Sequence, residues 1–333
     1  MKILVLLLAV AISPSSYADS SPNARRDQAL KRIAACLRPN GVSSRQCKNL
    51  NENVETLVGV YRGGDKTVLQ TLLRFTYLTD FYGEALLSDP DSFLAAMTRL
   101  PQKDQKAVAD GVSGGMYGLR KKDRFEAIRS LLSGISDSSP SKQISQVCLK
   151  ALERNNASFF VTYFPPQTFT SRASDFQIHW YSSDMYALGE SPLWPPSSTS
   201  ETIYRFTYLP AFTGPSVLTL LIQPDGNGRI TMKTIAGDRE ITQLDETGPI
   251  PPDGLAKFFA QLDQAHFWAM PAELPRTGFD GAEWILEGVK DGNYHAVVRW
   301  CPDIDHQSAK EVPFVDAVRL MFELAGHKHV GSC

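Results

Sequence analysis

The sequence has no run of Lys and Arg long enough to track a nucleic-acid backbone. Its two basic clusters, residues 24–32 ("ARRDQALKR") and 120–124 ("RKKDR"), are interrupted by acids and read as solvated helix faces. Thirty-four basic residues face 36 acidic ones, a formal net charge of −2, so neither sign dominates. Beyond the N-terminus no apolar run approaches the roughly 18 residues that a membrane-spanning helix needs. There are only five cysteines, an odd number, and six histidines. No standard zinc spacing, EF-hand loop or strand-flanked nucleophile motif is present. "PDGNG" (224–228) lacks the further oxygen ligands and closing Glu that calcium requires, and reads as a hairpin turn. These gaps leave a chain with no cofactor signature.

At 43% hydrophobic and 21% charged residues, 333 residues can bury more than one core, and two domains of ordinary size are expected. The first residues, "MKILVLLLAVAISPSSYADS", carry Lys2, an apolar stretch over Ile3–Ile12, a break at Pro14 and small residues before Asp19. This is the pattern of a secretory signal peptide over residues 1–18, cleaved near Ala18. The mature chain is then expected in the periplasm or outside the cell, in an oxidising compartment that permits disulfides.

Apolar spacings of three and four predict helices from about residue 22 to 155, as in "NARRDQALKRIAACL" and "KTVLQTLLRFTYLTDFYGEALL". Asp89-Pro90 and Ser139-Pro140 mark helix starts. Residues 156–200 are dense in aromatics and proline and read as a connector. From 201 to 326 the period changes to two. Strand-like runs (201–209, 216–223, 228–236 and 239–244) precede a helix in "PPDGLAKFFAQLDQAHFW", a hairpin, and a final helix with Gly326 past its end. Residues 327–333 form a tail. The fold class is α+β: an N-terminal all-helical array, then an antiparallel sheet with helices on one face. The pentapeptide "RFTYL" occurs at 74–78 inside the helical pattern and at 205–209 inside a strand pattern, and reads as coincidence.

Around the last 130 residues a pattern emerges: "YRFTYLPAF", "LDQAHFWAMP" and "FDGAEWILEGVKDGNYHAVVRWCP". A helix ending in Phe-Trp followed by an Asp-Gly-x-x-Trp-x-Leu-Glu-Gly…Tyr-His-x-Val-x-Arg-Trp hairpin resembles an uncharacterised family of secreted bacterial proteins of unknown function. The resemblance implies export and no particular activity.

Asp291-Gly292 suits a type I′ turn, which fixes the register of residues 282–300. Glu283 pairs with Trp300, Trp284 with Arg299, Glu287 with Ala296 and Gly288 with His295. Alternation then places Glu283 and Glu287 on one face and Trp284, His295 and Arg299 on the other, with Trp284 and Arg299 in cation–π reach. That split separates the acids from the histidine, and leaves His295 as the residue to test for catalysis. Ser113, in "GVSGG", matches G-x-S-x-G, but a helix precedes it where an elbow needs a strand. Trp180, Tyr181 and Tyr186 are candidate ligand contacts, against a role in packing. Cys36 and Cys47 flank a Pro-Asn-Gly turn and are expected to bridge. Cys301 and Cys333 are candidates for a second bridge or, with His306, His327 and His329, for metal ligation, against an exposed histidine pair that binds nothing. Asn156-Ala157-Ser158 fits a glycosylation acceptor. The function expected is a non-catalytic binding or protein-interaction protein of the bacterial envelope, with a protein or saccharide partner. The alternatives are an envelope hydrolase with a site between the domains, and a metal-binding protein using the C-terminal Cys and His.

Overall fold

The computed structural model describes residues 21–38, 41–42, 49–75, 77–114, 121–166, 168–169, 174–197, 201–236, 240–246, 249–274, 280–304 and 311–327. The chain divides into two compact units, residues 1–108 and 109–333. The division falls within a helix rather than near residue 155, where composition changes.

Unit 1 contains α1 (Pro22–Cys36), a two-residue ladder of β1 (Leu37–Arg38) with β2 (Gly41–Val42), α2 (Leu50–Arg62), α3 (Leu69–Leu72), α4 (Thr79–Ser88) and α5 (Pro90–Met97). The β1–β2 reversal follows Cys36 directly. Cys36 is disulfide-bonded, and its expected partner Cys47 lies outside the described residues. α5 starts as its sequence requires: Asp89 accepts a hydrogen bond from the Ser92 amide, and Pro90 occupies the first turn. The first "RFTYL" differs from expectation. Its described residues, Arg74, Phe75, Tyr77 and Leu78, lie between α3 and α4 rather than inside a helix. The Tyr82 hydroxyl donates to the Phe75 carbonyl at 2.6 Å, satisfying a backbone acceptor that a continued helix would have used. α6 (Gln102–Val112) spans the division between the units.

Unit 2 continues with α7 (Lys122–Ser133) and α8 (Lys142–Asn155). α8 begins two residues after Pro140 rather than at it. The Ser139 hydroxyl accepts from the Ser141 amide, so the Ser-Pro pair forms a turn ahead of the helix. A 3-10 turn over Ala157–Phe159 follows, and then α9 (Ser174–Ala187). α9 occupies part of the segment read as a connector.

The C-terminal part is an α+β layer structure. β3 (Thr202–Pro210), β4 (Ser216–Ile222), β5 (Gly228–Ala236), β6 (Glu240–Glu246), β7 (Ala282–Lys290) and β8 (Asn293–Trp300) form one antiparallel sheet in the order β6-β5-β4-β3-β7-β8. "PDGNG" makes the β4–β5 turn, where Asp225 accepts from the Asn227 amide at 2.9 Å. α10 (Pro252–Gln264) and α11 (Val312–Leu324) cover one face through Phe258, Leu262, Phe314, Val318 and Met321, packed on Tyr204, Phe206, Leu218, Trp284 and Val297. Alternation sends the other side chains of the same strands to the second face. There Leu209, Ile285 and Val298 meet Tyr163, Phe164, Phe169, Tyr181 and Met185. α9 and the aromatic residues before it are thus the second cover of the sheet.

Candidate functional site

The β7–β8 hairpin has the register that its turn dictates. Glu283↔Trp300, Trp284↔Arg299, Glu287↔Ala296 and Gly288↔His295 are cross-strand partners. Asp291 and Gly292 both have positive φ, 51° and 74°, as a type I′ turn requires. The acids and His295 therefore lie on opposite faces of the sheet.

On the face covered by α9, Glu287 meets Arg205 across β3 and β7, where the two are direct partners. Arg205 is 1% exposed and Glu287 0%. The guanidinium grips the carboxylate with two bonds, Nε to Oε2 at 2.7 Å and Nη2 to Oε1 at 2.9 Å. The Tyr294 hydroxyl donates to Glu287 Oε1 at 2.9 Å. Nη1 of Arg205 reaches past the sheet to the Ser191 carbonyl at 2.6 Å and to Glu190 at 3.5 Å. Glu190 in turn accepts from Lys233 at 2.6 Å. Two cations and two carboxylates thus alternate, with every arm of Arg205 occupied. Burial opposes the charge on Arg205, but Glu287 outweighs it and raises its pKa. Burial and Glu287 together raise Tyr294 well above the usual phenol range. The network pins the chain after α9 to the sheet. Its groups are committed to one another, which is how a structural ion network differs from a reactive one.

Glu283 lies two positions away on the same face. Burial pushes its pKa up to about 7, with Glu273 adding to the effect and the Tyr181 hydroxyl opposing it. In the unfolded chain this carboxyl titrates near 4.5. The stabilisation from its tighter proton binding is therefore complete below about pH 4.5 and is lost as pH rises through about 7. Glu283→Gln, which stays neutral, should gain stability relative to the native chain by on the order of 2–3 kcal/mol between pH 5 and pH 8. Urea midpoints at the two pH values measure this; an unchanged difference would mean that Glu283 is solvated.

His295 is half-buried. Its ring packs edge-on against Phe267, with centroids 5.1 Å apart, and 6.2 Å from Trp268. Gly288 opposite makes the room: a Cβ there would come within 2.7 Å of the Phe267 ring. Burial lowers the His295 pKa, the Met270 carbonyl opposes this, and Arg299 adds to the lowering. Among the described residues no carboxylate acts on the ring, and its Nε2 is buried with no hydrogen-bond partner. Trp284 and Arg299 are adjacent as expected, but the guanidinium lies over Phe314 instead, 5.9 Å from its centroid. Glu311 takes Arg299 Nε at 2.8 Å, and carbonyls of Pro271, Ala272 and Val298 take Nη1. Arg299 is thereby drawn to the α11 end of the core and away from the indole.

Ser113 ends α6, fully buried. Its hydroxyl donates to the Asp110 carbonyl and accepts from Asn155 Nδ2, both at 2.6 Å. That is a helix-end contact and not an exposed nucleophile. Asn156 is also fully buried, donating to the Ser113 and Leu152 carbonyls, and as folded it presents no amide to a glycosylating enzyme. Of the aromatic ligand candidates, Tyr181 is buried in the core beneath α9, whereas Trp180 and Tyr186 are half-buried at its margin. Phe176, one turn before Trp180, is 44% exposed with its ring 5.9 Å away.

Sequence reading did not single out one pair. Ser158, in the 3-10 turn, places its Oγ 2.8 Å from Nδ1 of His179 on α9. The signal was faint because 21 residues separate them and the helix carrying His179 was itself unread.

Cys301 is disulfide-bonded, and Cys148 is fully buried. His327 is described, its amide donating to the Phe322 carbonyl, while His329 and Cys333 lie outside the described residues. Among the described residues no cluster of three His, Cys, Asp or Glu is placed to hold a metal. No helix among them is long and apolar enough to cross a membrane. Compared with known proteins, the chain matches no family model, and no curated protein is recognisably similar to it.

Proposed function

We propose that the chain is a non-catalytic binding or interaction protein of the bacterial envelope, exported by its N-terminal signal and belonging with the secreted bacterial proteins whose hairpin pattern it resembles. The observation that carries this reading is the Phe176–Trp180 pair. Two large aromatic side chains stand one turn apart on α9, with Phe176 44% exposed. The neighbouring Tyr181 is locked into the core, so the helix that presents them is firmly seated. Exposed aromatic rings on a rigid element provide apolar contact at small entropic cost, for a protein surface or for the faces of a saccharide. The groups that sequence singled out for chemistry (Ser113 and His295) are meanwhile engaged in internal hydrogen bonds and ring packing.

The test uses the intact protein and Phe176→Ser, which removes an exposed ring. Immobilised native protein is expected to retain an envelope protein that Phe176→Ser loses, or cell-wall saccharide fragments are expected to quench native tryptophan fluorescence with the variant's response at least tenfold weaker. Identical retention and quenching by both proteins would sink this surface.

A hydrolase is the second reading. Ser158 against His179 favours it, being the one hydroxyl–imidazole contact among the described residues.

A further inference from the structure

We propose that Ser158 is a nucleophile for acyl transfer from carboxylic esters with an apolar acyl group, and that His179 is its base. The inference rests on the hydrolase reading and names the reacting atoms. The Ser158 hydroxyl and His179 Nδ1 are 2.8 Å apart, within the range for direct proton transfer. The two groups come from different elements, the 3-10 turn Ala157–Phe159 and α9, whose packing fixes the contact. Both lie within unit 2. Burial lowers the His179 pKa, so the ring is neutral and able to accept a proton at pH 7. The Asn155 backbone carbonyl offsets part of this lowering. Nε2 is buried with no hydrogen-bond partner, so Nδ1 is the nitrogen engaged.

Nearby rings define the substrate class. Phe159 lies 5.7 Å from His179, and Phe160 is 37% exposed beside it in sequence. An apolar acyl chain fits such surroundings better than a charged one. In the acylation step the Ser158 Oγ–H proton passes to His179 Nδ1 while Oγ bonds to the ester carbonyl carbon. The bond from that carbon to the alcohol oxygen then breaks, and the departing alcohol takes the proton from Nδ1. Water releases the acid by the same shuttle in reverse, restoring the serine hydroxyl.

A fluorophosphonate reagent tests this, with peptide mapping of the native protein, Ser158→Ala, His179→Gln and Ser113→Ala. The expected result is a single adduct on Ser158, unchanged in Ser113→Ala, absent in Ser158→Ala and formed at least tenfold more slowly in His179→Gln. The native labelling rate should fall on acidification as His179 protonates, with its midpoint below the ordinary histidine range, and His179→Gln should lose that acid limb. Adduct on another serine would leave a hydrolase but overturn this assignment. No adduct on folded protein, with a known serine esterase labelled in the same tube, would remove both. Labelling of Ser158 without any pH limb would overturn the role of His179.

Discussion

Arg205→Met should cost the protein about 3–5 kcal/mol of unfolding free energy, among the largest effects available to one substitution here. The reason lies in what remains. Glu287 is wholly buried, and without the guanidinium its carboxylate keeps, among the described residues, the Tyr294 hydroxyl as its one side-chain donor. An uncompensated buried charge is far more expensive than an absent ion pair. Arg205→Met combined with Glu287→Leu should therefore recover most of the loss, because Lys233 and Glu190 remain paired with each other at 2.6 Å. Denaturant titrations of the two single variants and the double variant give the coupling directly. Single losses below about 1 kcal/mol would show that water reaches the pair.

Trp284→Ala should be comparably severe, about 3–5 kcal/mol, by opening a cavity between β7 and the helices. Trp284 is fully buried, with its ring 5.4 Å from Phe206 and 6.5 Å from Tyr208. Trp284→Phe should cost much less than the alanine change. The indole Nε1 is buried with no partner, so the phenyl ring loses area but also removes an unsatisfied donor. Trp300→Phe offers the contrast: its indole donates to the Asp280 carbonyl near the surface, and its loss should stay within about 1 kcal/mol. Thermal unfolding ranks the three; Trp284→Phe falling as far as Trp284→Ala would contradict the packing described.

The hairpin was legible because two short-range rules fix it: an Asp-Gly turn sets the register, and alternation sets the faces. Every pair read from the sequence between Glu283 and Trp300 is present. Arg205 with Glu287 was not legible. The two are 82 residues apart, and their meeting depends on β7 entering the sheet beside β3, which no local pattern encodes. α9 was missed for another reason. Its buried positions, Gln177, Tyr181, Ser182 and Met185, follow a helical spacing, but half are polar, and aromatics crowd the remaining faces. A helix that packs on both sides leaves no clean apolar stripe. Ser158–His179 depended on α9 and was hidden with it. Trp284 and Arg299 show the limit of register itself, which fixes the neighbour but not the direction a long side chain takes once Glu311 competes for it.

β3 is central in the sheet, yet one of its neighbours, β4, follows after a short turn and the other, β7, arrives only after β5, β6 and α10. As the chain is made, β3 through β6 can form as a meander of local pairings, leaving the far side of β3 as a temporary sheet edge. That edge exposes unpaired backbone groups, and Arg205 without its Glu287 partner, until residues 282–290 emerge and close it. Long-range closure of this kind is slow relative to hairpin formation, and an unpaired edge invites association with other chains. A cation on that edge until its carboxylate arrives would discourage such pairing, so the ion pair that locks the finished sheet also guards the unfinished one.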